Sequence, residues 1–166
     1  MKFDVDGAMT RSACAAREFA ASLPPSKGTY ALVMRGEPGR IVPVGAMGQV
    51  RIESPWLVYV GSALGPGGLR ARLGRHIVGS PNQRWHIDHV RAVAELVEVW
   101  WIESEERLEC AWAGALANRR GWSIEVPNFG SSDCRCGGHL LGATRRPRHE
   151  AAARLVARDV RAAITA

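Results

Sequence analysis

The sequence is short of lysine. Lys2 and Lys27 are the only two, so a net charge of +6 in 166 residues rests on arginine. No window approaches the ~20 apolar residues that a membrane-spanning helix needs, so no membrane association is expected. The N-terminus carries Asp4 and Asp6 and has no apolar run, unlike a signal peptide. Four cysteines without a secretory segment argue for a reducing, cytoplasmic setting and against a disulfide framework. There is no internal repeat, and nothing marks a second full domain.

What is present describes one globular domain with terminal decoration: 46% of residues are apolar and 23% charged. The sequence pI near 9.8 favours polyanionic partners, nucleic acid first. A solvated arginine-rich surface is the plain alternative.

The most informative stretch is WLVYVGSALGPGGLRARLGRH, from Trp56 to His76. It reads as a buried strand, with Tyr59 and Gly61 on one face, then a glycine-rich turn, then a helix. Leu69, Leu73 and Ile77 form the apolar stripe of that helix. Arg72 and His76 lie one turn apart at its border. A phenol at a strand end, with a guanidinium and an imidazole on the next helix, suits phosphodiester chemistry.

Around it, Thr10 can cap a helix through about Leu23, ended by Pro24-Pro25, and residues 1–27 read as an appendage. A strand starts at Gly28, with Tyr30, Leu32 and Met34 alternating against Ala31 and Val33. After a turn at 36–39 the chain returns over 40–44, and a small hairpin follows around Gly45 and Gly48. If the Tyr30 and Tyr59 strands are antiparallel neighbours, both phenols share one face. Residues 93–102 form another strand, with Val93, Val97, Val99 and Trp101 on one side. Ser104 is placed to cap a helix with Glu105 and Glu106 in its first turn. Leu108, Trp112, Ala115 and Leu116 are its stripe and Glu109 its border. A polar loop, GSSDCRCGGH, spans 130–139. Residues 145–166 read as a basic, alanine-rich helix with Arg154, Arg158 and Arg161 along one side.

These residues resemble the GIY-YIG nuclease superfamily, and within it the compact Uri-type subfamily. The two name-giving motifs appear as Gly28-Thr29-Tyr30 and Tyr59-Val60-Gly61. The family arginine falls at Arg72, the residue one turn later at His76, and the metal-binding glutamate at Glu109. YVGSA, WHIDH, Glu109-Cys110 and FGSSDCRCGGHL carry the Uri-type likeness, over residues 28–142. Thr29 replaces the usual isoleucine or valine, and Ser62 stands where some members have lysine. The late asparagine of the family has two candidate matches, Asn128 and Ser131.

The resemblance implies an α+β domain at residues 28–144, with a short, largely antiparallel sheet flanked by helices. It implies an endonuclease that hydrolyses DNA phosphodiesters with Mg²⁺ or Mn²⁺ held by Glu109. Tyr30 would orient or deprotonate the water, supported by Tyr59. Arg72 would grip phosphate oxygens, and His76 would act as base or as proton donor to the leaving group. Arg70, Arg75, His86, Asp88, Ser131, Arg154 and Arg158 are the candidate substrate-binding residues. His86 and Asp88 serve equally well as braces of their loop. Two readings compete with the enzyme: a nucleic-acid-binding module without hydrolysis, and an accessory protein associated with a DNA-repair enzyme. Cys110, Cys134, Cys136 and His139 are a possible structural zinc set. The C-x-C spacing is tighter than usual for zinc and favours two ordinary thiols in a tight loop.

Overall fold

The computed structural model describes residues 11–156 and 161–164. The Thr10 cap and Arg158 therefore lie outside the described residues. The fold is α+β, as expected. A six-stranded antiparallel sheet runs in the order β6-β7-β4-β1-β5-β8. Its strands are β1 (Gly28–Arg35), β4 (Trp56–Ser62), β5 (Glu95–Glu103), β6 (Trp122–Ile124), β7 (Leu140–Ala143) and β8 (Arg161–Ile164). The helices are α1 (Arg11–Ser22), α2 (Gly68–Val78), α3 (His86–Arg91), α4 (Glu109–Ala117) and α5 (His149–Val156). Among the described residues no helix is long and apolar enough to cross a membrane.

Alternation along the central strands builds two cores. Tyr30, Leu32, Met34, Leu57, Tyr59, Val99 and Trp101 pack against Leu69, Leu73 and Ile77 of α2 on one face. Ala31, Val33, Val58, Val60, Trp100 and Ile102 pack against Trp112, Ala113 and Leu116 of α4 on the other. A register shift opposite Val33/Met34 puts Leu96 in the same cluster as Val99 and leaves Val97 out of both clusters, so the expected Val97–Val99–Trp101 face is broken.

Four local expectations differ. Residues 40–44 do not return along β1. Instead β2 (Ile41–Pro43) pairs with β3 (Gln49–Arg51) as a separate ribbon around a single 3-10 turn at Gly45–Met47. The segment through α1 is no loose appendage: α1 packs along α2, and the Ser26 and Pro24 carbonyls accept from Leu69 and Arg70 N–H at 2.9 and 3.0 Å. These satisfy N–H groups that a helix start leaves open.

The third difference is the start of α4. Ser104 Oγ accepts from the Glu106 N–H at 3.0 Å and closes a local turn, so the helix begins only at Glu109. The fourth is the C-terminal segment: among its described residues the helix covers His149–Val156, and Arg161–Ile164 is not helical but an edge strand on β5.

Candidate active site

β1 and β4 are antiparallel neighbours, with Tyr30 opposite Gly61 and Leu32 opposite Tyr59. The two tyrosines thus stand on one face, two residues apart along the sheet. Gly61 makes that possible: a Cβ there would lie 2.7 Å from the Tyr30 hydroxyl oxygen and 3.1 Å from Tyr59 Cε1. Both rings lean over the bare backbone.

α2 brings the next two groups. The Tyr30 hydroxyl lies 3.0 Å from His76 Nε2, and His76 Nδ1 faces Asp88 Oδ1 at 3.8 Å. Burial drives the His76 pKa down to about 3, against the pull of Asp88 and with help from Arg75, Arg91 and Arg72. The imidazole is therefore neutral near pH 7, and in the tautomer that turns Nδ1–H toward Asp88 its Nε2 accepts from the phenol. Burial holds Tyr30 well above the usual phenol range and pushes Tyr59 up to about 12, while the Arg72 guanidinium opposes both shifts. Neither tyrosine ionises unaided at neutral pH.

Arg72 stacks on the Trp85 ring at 4.5 Å, and its Nε is buried without a hydrogen-bond partner. Arg75 stacks on the same ring, also at 4.5 Å. Two guanidiniums thus share one indole. Asp88 fixes Arg75 with contacts of 2.8 and 3.0 Å and accepts from the Arg84 and Trp85 N–H groups at 2.9 and 3.1 Å. Although burial opposes it, these donors hold the Asp88 carboxyl below its ordinary range.

Glu109 arrives from the other side of the sheet. As the first residue of α4 it is only 5% exposed, where the helix dipole favours its charge. Its Oε1 accepts from Ser62 Oγ at 3.2 Å and faces Arg107 Nε at 3.6 Å. Its Oε2 is buried and has no partner. An unsatisfied buried carboxylate oxygen is costly. The Glu109 charge also reaches Tyr59.

The 130–139 loop closes the cluster. Gly130, at φ +70°, lets it run against Tyr59, where a Cβ would meet the ring at 3.0 Å. Phe129 sets its ring edge-on to Tyr59 and to His86. Ser131 is buried with a partnerless Oγ, whereas Asn128 is exposed in a left-handed turn. Beside them, the ligand atoms of Cys110, Cys134, Cys136 and His139 lie within 4.8 Å of one another, close enough to hold a metal such as zinc. The tight C-x-C spacing proves no obstacle, because Cys110 joins it from α4.

A family model described as "Domain of unknown function DUF123" matches residues 29–162. The chain belongs to that family. No curated protein and no solved structure matches it. The DUF123 match takes in all five candidate catalytic residues and the four metal-ligand candidates.

The candidate substrate-binding residues divide. His86 and Ser131 line the loop side of the cluster. Arg75 and Asp88 pair with each other, and both also engage Trp85, Arg75 through its ring and Asp88 through its N–H. Arg70 Nε donates to the Leu23 carbonyl at 2.7 Å and ties α2 to α1. Arg154 is exposed on α5, which packs on α4, on the side of the sheet away from α2. Arg161 is not on a helix with it: its Nη1 pairs with Glu103 at 2.9 Å. Sequence reading left Trp85 unplaced and missed the Ser62–Glu109 contact. An aromatic just before a short helix rich in His and Asp was the available signal for the first.

Proposed function

We propose that the chain is a divalent-metal-dependent endonuclease of the GIY-YIG type, hydrolysing phosphodiester bonds of DNA. One observation carries this reading. The neutral Tyr30–His76 pair, the Arg72 guanidinium with its unpartnered Nε, and the Glu109 carboxylate with its unpartnered Oε2 gather around one sheet end. A pure binding module has no use for that carboxylate, which would repel phosphate unless a cation lay between them.

Glu109 Oε2 fits one hard divalent ion, Mg²⁺ or Mn²⁺, whose remaining positions water would fill. Bound there, the ion supplies charge neutralisation around the phosphate and a more acidic water. Arg72, held flat on Trp85, presents its fork to two phosphate oxygens. Tyr30 accepts the proton of the attacking water as its own phenolic proton passes to His76 Nε2, across the 3.0 Å contact. The imidazolium formed faces Asp88 at 3.8 Å, which stabilises it. Tyr30 and His76 thereby act as one relay, so neither has to be the sole base.

The test compares wild type with Glu109→Gln on single-stranded, duplex and branched DNA and on RNA, with Mg²⁺ or Mn²⁺. The variant is expected to lose roughly 10³-fold or more in cleavage while its melting temperature is unchanged or slightly higher, since a poorly satisfied buried charge is removed. Cleavage by Glu109→Gln near the wild-type rate at saturating metal would overturn the assignment. Binding without cleavage by the wild type on every substrate would favour the binding module.

A further inference from the structure

We propose that Cys110, Cys134, Cys136 and His139 form a closed, four-coordinate Zn²⁺ site that ties the first turn of α4 to the 130–139 loop. The geometry is that of a tetrahedral thiolate site. With Zn–S near 2.3 Å and Zn–N near 2.05 Å, a tetrahedron has S···N edges of about 3.6 Å and S···S edges of about 3.8 Å. His139 Nε2 lies 3.7 Å from Cys110 Sγ and 3.6 Å from Cys134 Sγ. All four donor atoms fall within 4.8 Å of one another, and all three cysteines are free thiols.

The donors are also held in place. His139 donates its N–H to the Phe129 carbonyl at 2.7 Å, and its carbonyl accepts from Val60 at 2.9 Å, so the ring hangs from the middle of the sheet. With Nε2 facing the thiols, its lone pair is the one offered to the metal, and Nδ1 on the far side of the ring is left for the supporting contact usual for a histidine ligand. Gly137 O accepts from Asn128 N–H at 2.7 Å and Ser131 O from Cys134 N–H at 3.2 Å, folding the loop so that both its cysteines meet Cys110. Three soft sulfurs and an imidazole select zinc over magnesium, and four protein donors leave no open position. This metal is therefore structural, and its ligand set does not include Glu109.

Its role follows from the chain. Cys110 is the residue after Glu109, and the loop it meets carries Gly130 against Tyr59. A metal joining them fixes the distance between the carboxylate and the tyrosines. The catalytic value of that tie rests on the endonuclease reading; the metal itself does not.

The protein, purified with reductant and no added metal, is expected to carry one zinc per chain by elemental mass spectrometry. Replacement with Co²⁺ should give thiolate charge-transfer absorption in the near ultraviolet and intense tetrahedral bands in the visible. Cys136→Ser should lose the metal and about 10 °C in melting temperature, whereas Cys14→Ser, remote from the cluster, should lose neither. Trypsin should cut after Arg135 rapidly in the metal-free wild type and slowly in the loaded form. Absence of metal under reducing conditions, a cobalt spectrum without thiolate bands, or equal loss in Cys14→Ser would overturn the site. Equal cutting at Arg135 in both forms would overturn the tie. Zinc with these signatures in a protein that cuts no nucleic acid would uphold the site and sink the endonuclease reading alone.

Discussion

A neutral imidazole sealed against a phenol makes the protein sensitive to acid. His76 takes up its proton near pH 6.5 in an unfolded chain but only near pH 3 in the folded one. Between those limits the unfolded state binds more protons, so stability falls as pH falls, by up to about 1.4 kcal/mol per unit. Asp88 adds little there, because its depressed pKa places its own loss of stability at lower pH. Urea midpoints of His76→Asn should therefore decline less than wild type between about pH 6 and about pH 4.5, whatever the variant's stability at neutrality. Parallel declines would mean that His76 is not buried neutral. Tyr30, Tyr59, Arg72 and His76 were legible in the sequence because strand alternation and helix spacing are local rules. Trp85 was not: its value lies in two cation contacts from α2, and no local pattern encodes them.

The elements that departed from expectation did so where local chemistry served two purposes. Ser104 carries the same hydroxyl whether it caps a helix or closes a turn, so local chemistry places the start of α4 four residues early. The correction turns Glu109 from a border residue into an N-terminal one, buried in the field of its helix. The C-terminal segment is alanine-rich and basic, which favours a helix. Yet Arg161–Ile164 gains more by pairing with β5, where Trp100 and Trp101 would otherwise stand at an open edge opposite Ala162 and Arg161. Deleting residues 157–166 should consequently lower the melting temperature by about 5 °C and cause self-association, read by light scattering. A monodisperse truncated protein with unchanged melting would mean that β8 does not protect the edge. All four members of the cysteine cluster were legible in the sequence, but their convergence was not, since Cys110 sits on a different element from the other three.

Across the whole molecule the positive charge is unevenly placed. Arg119, Arg120, Arg145, Arg146 and Arg148 line one cleft with Trp122 and Thr144. It lies near the Trp56 end of β4, since Trp56 and Trp122 both pair with Ala143, while Ser62 at the other end meets Glu109. The strand between those ends is seven residues long, a span of roughly 20 Å. Arg146 is engaged with Glu98 and the Trp56 ring, so Arg120 and Arg148 are the better probes. Replacing both with alanine should weaken DNA binding and lower its salt slope by roughly 2, leaving the rate at saturating DNA unchanged. An unaltered slope would remove the cleft from the DNA path. Finally, the site draws on both layers of the molecule: Tyr30, Tyr59 and His76 belong to the α2 layer, while Glu109 belongs to the α4 layer. A newly made chain that has docked only one layer holds half a site. In the proposed endonuclease, hydrolytic competence would thus be interlocked with complete folding, and a partly folded copy would be harmless to the nucleic acid around it.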